Sequence, residues 1–136
     1  MQSSHWLTDA RVVAGQYEID MPSSFQIIDE AKVKVIELSV SDHVDSASFD
    51  ELNTSLLGLF HPTGQRNWVL DLSQVTYLGS AMLGLMVNIR QQIKNIQGTL
   101  VLCNLSPNLL AIFKASALER LFQIAKNRRD AVTWAG

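Results

Sequence analysis

Ser80 follows Gly79 directly and heads the apolar run Ala81-Met-Leu-Gly-Leu-Met-Val87. A serine oxygen at the start of a helix has two chemical uses. It can accept a hydrogen bond from a first-turn amide that has no partner within the helix, worth about 1 kcal/mol. It can also accept a phosphoryl group, which would meet those same amides and the positive end of the helix dipole. Phosphate there adds nearly two negative charges beside an apolar surface, enough to abolish a contact. The two uses are compatible, and spacing alone favours the cap.

The other chemistry-bearing residues form no constellation of comparable meaning. The sequence contains no G-x-G-x-x-G, no P-loop, no G-x-S-x-G and no H-E-x-x-H. His5, His43 and His61 are scattered through expected loops or tails. His43 between Asp42 and Asp45 is the one grouping that resembles metal ligands, and it lacks a second histidine at ligand spacing. No general base can be named beside Ser80, which argues against an enzyme handling nucleotides in that groove. Neither a metal nor another cofactor is expected. The single cysteine, Cys103, falls in the apolar run Thr99-Leu-Val-Leu-Cys103 and reads as an inert core thiol.

The chain has 136 residues, 47% of them apolar, which suits one domain with a real core. Eleven basic residues against 13 acidic ones give a formal charge of −2, so nucleic acid is not an expected partner. The densest basic run, Lys126-Asn-Arg-Arg129, reads as a solvated turn. No apolar run approaches the length of a membrane span, and no charged-then-apolar leader is visible, so the chain reads as cytoplasmic.

The elements that must position Ser80 follow from periodicity. Phe25–Ile28 and Val33–Leu38 read as neighbouring strands with a turn around Asp29–Ala31. Phe49, Leu52, Leu56 and Leu59 or Phe60 share one helical face, which Ser48 and Glu51 could open as a capping box, or Asp45 or Ser46 could cap. Trp68–Leu72 is a strand. Met82, Met86, Ile89, Ile93 and Ile96 give the clearest helical stripe, ended by Gln97-Gly98. Thr99–Cys103 is the next strand, and Ser106-Pro107 opens a helix carrying Leu109, Leu110, Phe113 and Leu118. Phe122–Ile124 and Asp130–Trp134 suggest a last strand and helix. In residues 1–24, Val12-Val13 and Tyr17–Ile19 suggest a short strand. Alternation of strands and helices predicts an α/β fold with a mostly parallel sheet.

An ordered set of these residues resembles the STAS domain, named for sulphate transporters and anti-sigma factor antagonists. It comprises Val69-Leu-Asp-Leu-Ser-Gln-Val75, Tyr77-Leu-Gly-Ser80, Leu83-Gly84, Gly98, Leu100–Cys103, Ser106-Pro107, Phe113, Ala115–Leu118, Phe122 and Ala131-Val132. The strand Val33–Leu38 and the helix from Ser46 fit as well. The resemblance implies one STAS-like domain over residues 25–136, with residues 1–24 as an extension or extra strand. It implies a mixed four- or five-stranded sheet with helices mainly on one face.

It also implies a binding module rather than an enzyme. In bacterial members of the family, a serine or threonine at the start of the second helix is phosphorylated by a kinase that doubles as an anti-sigma factor. The unphosphorylated form binds that kinase, and a phosphatase resets the switch. Ser80 falls at that position. The implied contact surface is Gly79, Ser80, Ala81, Met82 and Leu83, with Asp42 and Asp45 in the preceding loop. The usual pattern has aspartate where this chain has Gly79 and glycine where it has Met82. Those departures favour the alternative of a scaffold or oligomerisation module without a phospho-switch, associated with a signalling or transporter complex.

Overall fold

The computed structural model describes residues 24–39 and 46–136. The short strand expected from Val12-Val13 and Tyr17–Ile19 lies outside them. Strands β1 (Ser24–Glu30) and β2 (Val33–Ser39) form an antiparallel hairpin. Its turn is Ala31-Lys32, slightly later than the pattern suggested, with Ala31 in the left-handed region (φ 58°). There follow α1 (Ser46–Leu57), β3 (Asn67–Gln74), α2 (Ser80–Asn95), β4 (Thr99–Cys103) and α3 (Pro107–Ala115). A 3-10 turn at Leu118–Arg120, strand β5 (Gln123–Ala125) and α4 (Arg128–Ala135) complete the chain.

The strands lie in sequence order, β1 to β5, and β2 through β5 run parallel. The sheet is thus five-stranded and mixed, as expected. Parallel strands buried on both faces read as continuous apolar runs, because alternate residues feed two separate cores. Ile36, Leu38, Trp68, Leu70, Leu72 and Leu102 face one way and pack against α1, α2 and α3. Val33, Val35, Val69, Val101, Cys103 and Ala125 face the other way, where Ala131 and Ala135 of α4 cover them. The larger core holds nearly all the long side chains, whereas the reverse face is built from small ones.

The stripe Met82, Met86, Ile89, Ile93 and Ile96 is buried throughout. Two expectations shift. In α3, Leu109 and Phe113 point inward one turn apart, so Leu110, a hundred degrees round, is left 39% exposed. Helix α1 begins at Ser46, so Ser48 lies within its first turn rather than ahead of it.

The end of α2 separates two roles that a helix stop often gives to one glycine. Gln97 takes the left-handed conformation (φ 59°). The Gly98 amide donates to the Ile93 carbonyl at 2.8 Å and the Gln97 amide to Lys94 at 2.9 Å. Gly98 is needed for a different reason. A Cβ there would lie 2.0 Å from the Arg66 carbonyl oxygen, which accepts the Thr99 amide and starts the β3–β4 pairing. Gly98→Ala should therefore lower unfolding free energy by about 3 kcal/mol. Ala117 is also left-handed (φ 61°), so Ala117→Gly should raise it by about 0.5–1 kcal/mol. Urea midpoints at unchanged m-value would show both.

Candidate functional site

Strand β3 reaches α2 through a short, pinned connection. The Val75 amide donates to the Leu72 carbonyl at 3.0 Å, and Val75 and Leu78 are both buried in the main core. Between them Tyr77 projects outward, 61% exposed. Gly79 is extended (φ −80°, ψ 176°) and occupies the N-cap position. Its carbonyl accepts the Leu83 amide at 3.0 Å. Ser80 is thus the first helical residue rather than the cap, one position later than its expected capping role requires. No side chain caps α2, and its first turn contains no acidic residue.

The Ser80 hydroxyl is exposed and has no hydrogen-bond partner among the described residues. Ala81 beside it is exposed, Leu83 is half-buried, and Met82 turns into the core with 4% exposure. Of the expected contact residues, then, Ser80 and Ala81 offer open surface and Leu83 offers part of one. Met82 supports the turn from beneath. Asp42 and Asp45 lie outside the described residues. Gly79 has a negative φ, and a Cβ there would meet only Tyr77 Cε2, at 3.9 Å, an ordinary contact. Neither backbone strain nor crowding requires glycine at this position.

A second polar constellation lies on the reverse face. Glu37, Asp71 and Cys103 are register partners across β2, β3 and β4. Asp71 is 2% exposed, which demands that its charge be satisfied. Its carboxylate accepts the Ser73 amide at 2.9 Å and the Asn104 side-chain amide at 3.2 Å on both oxygens. It also accepts Arg128 Nη2 at 2.9 Å and Nε at 3.1 Å. Arg128 further pairs with Glu37 and lies 3.9 Å from Glu30. The run Lys126–Arg129 is therefore more than a solvated turn. Lys126 and Arg129 are exposed, but Asn127 caps α4 by accepting the Asp130 amide at 2.9 Å, and Arg128 turns inward.

Burial would push the Asp71 carboxyl up, but the Ser73, Asn104 and Arg128 hydrogen bonds outweigh it and hold the group below its ordinary value. Burial likewise opposes the Arg128 charge, and its bonds to Glu37 and Asp71 more than restore it. Burial, reinforced by the Asp71 charge, pushes the Cys103 thiol up to about 12, so it stays protonated and unreactive. The signal that reveals this cluster in sequence is an acid at an inward position of Val69-Leu-Asp-Leu72. Its partner, 57 residues later, is invisible without the fold.

Among the described residues no group of histidine, cysteine, aspartate or glutamate side chains is arranged to hold a metal ion. No helix of the described residues is long and apolar enough to cross a membrane.

Because Asp71 binds its proton more weakly folded than unfolded, its contribution is present above the unfolded value near 3.8 and is lost as pH falls through the lower folded value. Asp71→Asn should therefore show a smaller loss of stability on acidification below pH about 4 than the parent, read from urea midpoints across that range. Arg128→Ala leaves a buried carboxylate without its cation and should cost about 2–4 kcal/mol at neutral pH.

The family model for the STAS domain matches residues 26–131. The chain is 34% identical over 88 residues to BtrV of Bordetella bronchiseptica, a protein named for anti-sigma factor antagonism, covering 65% of this chain and 75% of that one. A STAS domain protein of Planctomyces limnophilus superposes with a TM-score of 0.71 at 21% identity, over 82% of this chain and 97% of that one. The Bacillus cell fate determinant SpoIIAA in its phosphorylated form superposes with a TM-score of 0.61 at 17% identity, over 83% and 100%. At these identities the two structures speak for the fold.

Proposed function

The chain belongs to the STAS domain family, and we propose that it is a non-enzymatic regulatory module of the anti-sigma factor antagonist kind. In this reading it binds an anti-sigma factor that is also a serine kinase, and Ser80 is the residue that kinase phosphorylates. A phosphatase returns it to the binding state. The observation that carries the reading is the Ser80 hydroxyl, exposed and without a described partner at the first position of α2. The relative named for anti-sigma factor antagonism and the fold shared with a protein solved in phosphorylated form support it.

The physical logic is one of local charge. Ser80 and Ala81 sit beside exposed Tyr77 and half-buried Leu83, a small apolar surface of the kind that anchors a partner. A phosphoryl group there adds a strongly hydrated dianion that a docked apolar surface cannot solvate. The same group leaves the fold intact, because Ser80 points away from the core. The proposed contact also includes Asp42 and Asp45.

Gly79 and Met82 favour a second reading, a scaffold or self-associating module that uses this surface without a phospho-switch. The two readings separate on one substitution. Under the switch, Ser80→Asp weakens partner binding at least about 30-fold while Ser80→Ala binds like the parent. Under the scaffold reading both bind alike. Incubation with the partner kinase and ATP, followed by mass analysis of tryptic peptides, should place one phosphate on Ser80. Phosphate on another residue, or none while the partner still binds, would overturn the switch. Light scattering on the purified protein reads self-association directly.

A further inference from the structure

The reverse-face cluster touches the end of β3 that leads into the connection carrying Ser80. Asp71 holds the amide of Ser73, and from Leu72 the chain turns through the Val75 amide toward Leu78, Gly79 and Ser80. The same carboxylate holds Asn104, a left-handed residue (φ 60°) that opens the connection from β4 to α3. Its cation comes from Arg128, the first residue of α4. One buried carboxylate thus ties two strand-end connections to the helix on the opposite side of the sheet.

We infer that Asp71 and Arg128 are positioning residues for Ser80: docking of α4 fixes the connection from β3 to α2 through their ion pair. The inference rests on Ser80 being the switch residue, but its structural half stands apart from any kinase. Without the guanidinium, the buried Asp71 charge has only the Ser73 and Asn104 donors to offset its burial. Relieving that cost by taking a proton or swinging toward water weakens its hold on the Ser73 and Asn104 donors. The end of β3 then loses that polar tie, and the connection keeps the Val75–Leu72 hydrogen bond and its apolar plugs, Val75 and Leu78. α4 docks on the sheet through Ala131 and Ala135, with half-buried Val132 beside them. So little apolar area makes the ion pair a large share of what holds the helix.

The pair is out of reach of a partner seated on Ser80, because it lies on the face opposite α2. Any effect of Arg128 on the switch must therefore travel through the connection. That separates positioning from direct contact.

The test is hydrogen exchange on the full chain, comparing Arg128→Met with Ile93→Val, a variant in the other core, at urea concentrations that give the two the same global stability. Arg128→Met keeps the apolar stem and removes the charge. Exchange of the hydrogen-bonded amides of Ser73, Val75 and Leu83 should be at least tenfold faster in Arg128→Met, with Val69 and Leu70 equal in the two proteins. Adding Asp71→Asn should bring those amides back to within threefold of the parent. That change leaves no buried charge, and the carboxamide oxygen it introduces can still accept the Ser73 amide. Equal exchange of the Ser73, Val75 and Leu83 amides in the matched single variants would overturn the inference. So would a double variant no better protected than Arg128→Met. If Ser80 proved not to take phosphate in the parent protein, the switch reading would fall while this measurement still decided the coupling.

Discussion

A carboxylate that is 2% exposed inside a parallel sheet constrains everything near it. Asp71 lies in register with Glu37 on one side and Cys103 on the other. The two adjacent acids repel, and burial penalises the ionised form of Asp71. Arg128 resolves the conflict by bridging Glu37 and Asp71, and its delivery requires the chain to return to this face after β5. The short C-terminal helix, its Asn127 cap and its small-residue underside are all consequences of bringing that one guanidinium to that one place.

The opposite face follows a different rule. There the helices α1 to α3 meet the sheet through long aliphatic and aromatic side chains, including the edge-on pairs Phe60–Trp68 and Phe113–Phe122. Because Met82, Leu85 and Met86 anchor the first turns of α2 from below, its amino end can present Ser80 and Ala81 to solvent without loosening. An exposed hydroxyl on a rigidly seated helix start is what a regulatory surface needs: the acceptor is accessible, and the scaffold does not have to rearrange to offer it.

Much of this was legible in the residues. The 3.6-residue stripe from Met82 to Ile96 forecast α2 because only one helix face can reach the core. Cys103 was readable as inert from its apolar neighbours, and the Ser106-Pro107 pair marked the start of α3, where the Ser106 oxygen accepts the Leu109 amide. What escaped depends on distance in sequence. Arg128 looked like one more solvated charge because its partners lie in β1, β2 and β3, which local pattern cannot bring to it. Leu110 looked like core because a run of apolar residues does not say which member points out. The capping role expected of Ser80 failed by a single position, the scale on which helix ends are decided by backbone geometry rather than residue type.

Gly79 is neither strained nor crowded. A residue whose identity the fold does not dictate is free to vary with the company the protein keeps. Within this scaffold, the electrostatic character of the ground beside Ser80 can be rewritten by a single codon, from blank to acidic. Related modules sharing a cell could be kept from answering one another's partners by that residue alone, with the architecture beneath it untouched.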